Sequence, residues 1–197
     1  SAEAVRQALV ATQRVGQRAC RLTHEVTLWV VLAMGVFTDV PIRQVFKHAR
    51  RLRIGEPSPH RSSLCVARQR LGVAPVRYLF QTTVRPLARP DTPGAFHRGF
   101  RLVAIDGVVF NTPDSEANDK AFGRPSGGNR GMGAFPQVRK VSLVEVGTHV
   151  ELALVLKPLA CGETTAMEGL WRHIPADSLL LEDRGFFSYK QWKRALS

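Results

Sequence analysis

The apolar residues of this chain change their period once, near residue 90, and that change limits the fold more than any single motif. Before it, over residues 2–16, about 23–37 and 42–52, apolar positions recur at helical spacing, with Thr23 placed to cap the second helix. A fourth helix is expected from Ser58 as N-cap and Pro59 as first residue to a stop at Gly72, and a fifth from Pro75 to about Leu87. After the change come strands. FRLVAIDGVVF carries an apolar run from Leu102 to Ile105, the texture of a strand covered on both faces. QVRKVSLVEV leads through a tight turn at Gly147 into THVELALVLKP, whose alternation predicts one buried face made of Val150, Leu152, Leu154 and Leu156. Thr165 with Glu168 suggests a capping box for a short helix, Leu179–Leu181 a last strand, and Ser188 with Gln191 a second capping box.

The order strand, strand, strand, helix, strand, helix predicts an antiparallel meander followed by a crossover to a fourth strand. That is a mixed sheet with helices against it, so the fold class is α+β or α/β. Pro and Gly accumulate in RPDTPGAFHRG, residues 89–99, which places a boundary between a helical domain, 1–95, and a sheet domain, 96–197.

Charge divides along the same line. Of 28 Lys and Arg and 16 Asp and Glu, residues 1–100 hold 16 basic and 5 acidic, whereas the remainder is nearly balanced. A basic helical half points to a polyanion such as nucleic acid, although a solvated basic surface has the same composition. The helix–glycine–helix over residues 58–87 carries Arg61, Arg68, Arg70, Arg77 and Arg85, which could sit on a phosphate backbone. Cys20, Cys65 and Cys161 form no CxxC pair, so neither a zinc ribbon nor a disulfide framework is indicated, and buried reduced thiols are expected. The apolar stretch Val26–Phe37 is too short to span a bilayer. The Gly-rich stretch 111–136 has neither GxxxxGK[ST] nor GxGxxG and reads as a mobile surface loop. Its Arg124 and Arg130 could touch nucleic acid if the neighbouring site handles it.

Two acids stand where apolar strands would exclude them. Asp106 interrupts VAIDGVV, and Asp183 ends SLLLED. A carboxylate in a core strand is costly unless it is paired or binds a cation. Ser188 already caps the following helix, which leaves Asp183 free for another task; a salt bridge to Arg184 is the competing role. Glu182 should face the other side of its strand. If the two strands are neighbours, Asp106 and Asp183 converge as hard oxygen ligands suited to Mg²⁺ or Mn²⁺, as in metal-dependent phosphoryl transfer.

The segments LVAIDGVVFNTPDSEANDKAFGRP, FPQVRKVSLVEVGTH, the Gly162–Glu163 step and LLLEDRGFFSYKQW together resemble bacterial insertion-sequence transposases of the DDE type, in the insertion sequence 4-like group. VARQRLG and the helix after it are similar to that family's N-terminal helical region. The resemblance implies a ribonuclease H-like catalytic domain, here partial, with Asp106 and Asp183 as catalytic, metal-binding acids. It implies Mg²⁺, with Mn²⁺ as substitute, and attack by water and then a 3′ hydroxyl on phosphodiesters. The implied partner is double-stranded DNA, both element ends and target, bound by a homodimer without any membrane. The implied place is the bacterial cytoplasm, on the nucleoid when DNA is bound. DNA contacts are expected from Arg61, Arg68, Arg70, Arg77, Arg124 and Arg130. The family's third acid is a Glu well downstream of the second Asp. Glu151, Glu163 and Glu168 all precede Asp183 and no acid follows it, so the third catalytic Glu is absent from this chain. The chain therefore reads as a fragment that binds metal weakly and does not cleave DNA alone. Two further readings are a non-catalytic DNA-binding remnant of a decayed element and a ribonuclease H-like nuclease of different specificity.

Overall fold

A computed structural model of the chain describes residues 1–16, 20–50, 57–126 and 131–195. They fall into two units, Ser1–Val84 and Arg85–Ser197. The division lies ahead of the expected 95/96 because residues 85–95 are tied to the sheet. The amides of Leu87 and Ala88 donate to the buried Glu145 carboxylate, and Arg101 donates to the Ala88 carbonyl.

The first unit is helical: α1 (Ala2–Ala11), α2 (His24–Val36), α3 (Ile42–Ala49), α4 (Arg61–Leu71) and α5 (Ala74–Thr83). Helical spacing puts Val5, Ala8 and Leu9 of α1 against Leu28, Leu71 and Leu79, while Val30, Val45, Phe46 and Leu64 form a second cluster. Thr23 caps α2 as its position predicts, its hydroxyl accepting from the Val26 amide at 3.2 Å. Several helix ends differ from the sequence reading. α1 stops at Ala11 rather than residue 16, where Gln13 turns to φ 55°. α4 starts two residues later than expected, capped by His60, because the Ser58 hydroxyl accepts from Arg43 instead. It ends at Gly72, whose φ of 72° suits a residue without a Cβ. α5 ends at Thr83 rather than near Leu87; Pro86 offers no amide and disfavours helix at Arg85. The end expected for the third helix, residues 51 and 52, lies outside the described residues.

The second unit is a mixed sheet, and the chain is α+β as its pattern predicts. A short β1 (Phe96–His97) pairs with the start of β2 (Phe100–Asn111), which runs antiparallel to β3 (Gln137–Glu145), itself antiparallel to β4 (Val150–Pro158). α7 (Glu163–Met167) then crosses to β5 (Ser178–Glu182), which pairs with β2 in parallel, and α8 (Tyr189–Ala195) follows. One sheet face, made of Val103, Ile105, Val141, Leu143 and Ala153, is covered by Ala166, Met167, Leu170 and Phe186. The predicted apolar face of β4 is kept at Leu152, which packs against the core, and lost beyond it. Ala153 is 4 % exposed in the core, whereas Leu156 is 55 % exposed. A register shift at Leu143/Val144 resets the alternation. α7 starts from Gly162 without a side-chain cap, so the Thr165–Glu168 box is not made; Glu168 accepts from Lys190 and Arg194 instead. Nor are the thiols deeply buried, since Cys20 is exposed and Cys65 and Cys161 are half-buried.

Candidate functional site

β2 is long enough to pair with β1, β3 and β5, and this places the acids. Its parallel register with β5 sets Ile105 beside Glu182, which carries Asp106 and Asp183 to the next step along adjacent strands. Such strands lie about 4.8 Å apart. Because side chains alternate, Ile105 and Glu182 face the covered side, and Asp106 and Asp183 face the other. Both aspartates are exposed.

Each is held by local main chain. Asp106 Oδ1 accepts from the Gly107 amide at 2.7 Å. Asp183 Oδ1 accepts from the amides of Gly185, at 2.8 Å, and Phe186, at 3.2 Å. Asp183 is therefore not wholly free, as the sequence suggests, because one of its oxygens closes the turn that buries Phe186. Ser188 does cap α8, accepting from the Gln191 amide at 3.2 Å. Among the described residues Asp183 makes no ion pair with Arg184, and Oδ2 of each aspartate receives no protein hydrogen bond. On the same face Glu151 is held by Lys140 and by the Ser142 hydroxyl at 2.9 Å, with Ser142 opposite Asp106. Among the described residues no cluster of three or more His, Cys, Asp or Glu could enclose a metal ion.

The covered face contributes support that sequence reading missed. A Cβ on Gly107 would lie 2.8 Å from Glu163 Oε1, so Glu163 packs over Gly107 and would have to shift for a larger residue. Glu163 is ion-paired with Arg139. The Asp-Gly step and the Gly-Glu step before α7 were visible signals, but their contact spans 56 residues and needs the fold to appear. Glu182, on that face too, has a buried Oε2 without a partner among the described residues, and burial followed by the nearby Asp183 charge raises its pKa.

The basic residues divide. Arg61, Arg68, Arg70 and Arg77 are exposed on α4 and α5. Arg124 is committed within the second unit, donating to Asp114 at 2.6 Å, Asp119 at 3.0 Å and the Ala134 carbonyl at 2.7 Å. These bonds fasten α6 (Glu116–Phe122), a capped helix inside the stretch that reads as a loop. Arg130 lies outside the described residues. No helix among them is long and apolar enough to cross a membrane.

Residues 1–81 match the family described as insertion element 4 transposase N-terminal. A candidate transposase of Escherichia coli (strain K12), InsZ, is 30 % identical over 192 residues, covering 94 % of this chain and 62 % of its own length. The transposase InsG for insertion sequence element IS4 of the same organism is 31 % identical over 188 residues, covering 94 % of this chain and 42 % of its own. The chain thus spans less than two thirds of either relative. No solved structure matches it. The N-terminal match and the similarity that continues through the sheet make this chain similar, over nearly its whole length, to transposases of the insertion sequence 4 group.

Proposed function

We propose that this chain carries the DNA-gripping helical region and part of a ribonuclease H-like catalytic domain of a DDE transposase, with the domains meeting near residues 85–95. The observation that carries this reading is the parallel β2–β5 pairing, which sets Asp106 and Asp183 side by side on the uncovered sheet face. Their hard carboxylate oxygens, with each Oδ2 clear of protein donors, fit Mg²⁺ or Mn²⁺. When bound, such ions activate the attacking oxygen and stabilise the leaving oxygen of a phosphodiester. The chain's own part is to hold the two acids still: Asp106 lies inside a strand paired on both sides, and Asp183 is locked by its turn. The substrate is double-stranded DNA at element ends and target, bound by a homodimer in the bacterial cytoplasm and on the nucleoid. Exposed arginines of the first unit, Arg70 and Arg77 among them, supply the cationic surface, while Arg124 serves the α6 segment.

With two acids rather than three, these 197 residues bind the ion weakly and do not cut DNA. Mn²⁺ titration followed by electron paramagnetic resonance tests the site. Weak binding should be lost in Asp106→Asn and in Asp183→Asn; binding unchanged in the double variant would refute the metal site. Mn²⁺-dependent plasmid nicking that Asp106→Asn abolishes would refute the inactivity.

A further inference from the structure

We infer that a groove of the first unit, between α4 and the segment leading into α2, holds the sugar–phosphate backbone of duplex DNA. This rests on the DNA reading above and narrows it to one surface. One wall is a single face of α4, with Ser62, Ser63, Val66 and Arg70 at helical three- and four-residue steps. The other wall includes Arg21 and Leu22, and the cavity between them is about 690 Å³. Among the described residues no Asp or Glu lines it.

The chemistry of the lining is mixed in the way a nucleic-acid strand is mixed. Arg21 and Arg70 are exposed, and neither has an ion-pair partner among the described residues, so both cations are available to phosphate. Ser62 and Ser63 add hydroxyl donors. Val66, 41 % exposed, and Leu22 add apolar surface, a floor between the cations on which deoxyribose can pack, from the two sides of the groove. From Ser62 to Arg70 the helix rises about 12 Å at 1.5 Å per residue. That is too long for one phosphate, but a DNA strand brings a charge about every 3.4 Å along its axis.

The helix also separates this groove from the other arginines. Arg68 precedes Arg70 by two residues, roughly 200° around α4, and Arg61 shares the side of Arg68 because seven residues make about two turns. Of the arginines named from sequence on α4, only Arg70 lines the groove; Arg21 drew no attention because it stands outside any helical pattern.

The test is fluorescence anisotropy of a labelled duplex of arbitrary sequence, titrated with the full 197-residue chain over a KCl series. Circular dichroism checks that each variant is folded. Arg21→Ala/Arg70→Ala should lower the slope of log K against log salt by about 1.8, from 0.9 per lost phosphate contact. Val66→Asp, which puts a negative charge on the floor, should weaken binding at every salt concentration. Arg61→Ala/Arg68→Ala should change the slope by less than half as much. If the wild type binds but the groove variants match it, or the Arg61/Arg68 variant loses as much, the groove is wrong and the DNA reading stands. Preferential displacement of the duplex by polyglutamate at equal charge would assign the groove to acidic protein and also overturn it. If the wild type binds no duplex, both inferences fall.

Discussion

Replacing Glu145 by Ala should destabilise the second unit by about 3–5 kcal/mol, the range for removing one partner of a buried ion pair. The carboxylate is 0 % exposed, accepts the Leu87 and Ala88 amides at 3.0 and 2.8 Å, and also takes the Thr148 hydroxyl and the Arg101 guanidinium. Truncation would strand all of these donors. Glu145→Gln keeps shape and one acceptor but loses the charge, so about 2 kcal/mol is expected, within the range for hydrogen bonds to charged groups. Acid provides an independent check. Burial pushes this carboxyl's pKa up, but Thr148, Ala88, Leu87 and Arg101 outweigh that and hold it below the usual range. An acid whose folded pKa is depressed stabilises the fold fully above its unfolded value of about 4.3, and the contribution disappears as pH falls through the folded value. The gap between wild type and Glu145→Gln should therefore be widest near neutrality and close in acid. Urea unfolding in a Trp29→Phe background, where Trp171 and Trp192 report on the second unit, measures both effects. An Ala variant within about 1 kcal/mol of wild type, well short of the buried-pair range, would refute the reasoning. So would a gap that ignores pH.

Two further perturbations probe the strands that carry the acids. Gly107→Ala should cost about 1–2 kcal/mol by crowding Glu163, and the loss should largely vanish when Glu163→Ala is already present; equal costs in the two backgrounds, read by urea unfolding, would exclude the contact. Glu182→Gln should stabilise the second unit near neutral pH, because a folded pKa raised by burial and by Asp183 makes the ionised acid a burden that grows as pH rises above about 4.3. The benefit should fade below that pH, and a stability gap that widens in acid would contradict the assignment.

What could be read from sequence followed from periods and local chemistry. The switch near residue 90, the cap at Thr23, the stop at Gly72 and the meander-plus-crossover order all depend on neighbours within a few positions, and these recur in the structure. Long-range partners were not legible. His60 takes the cap because Arg43, 15 residues away, engages Ser58. Beyond Leu152 the buried face of β4 changes at a register shift that alternation alone does not reveal. The stretch 111–136 reads as loop from its glycines, yet Arg124 ties Asp114, Asp119 and Ala134 around a helix. At the candidate site, Asp106 and Asp183 stood out because acids interrupt apolar runs. The Arg139–Glu163 pair behind them did not, since its members belong to separate elements.

The sidedness of the sheet explains why the acids sit where they do. α7 and the turn holding Phe186 cover one face, and Glu182, the acid that points there, loses solvation and has an oxygen without a partner. Asp183, one residue later, points to the open face, where Phe110, Leu156, Leu179 and Leu181 are 48, 55, 41 and 42 % exposed. A carboxylate there stays in contact with solvent. Asp106 shares that face through the parallel β2–β5 register, so a slip of one residue in that pairing would turn Asp183 inward and leave Glu182 outside. Leu180, the leucine of that strand that packs against the covered core, fixes which way β5 faces, and with it which of two adjacent acids lies on the open face.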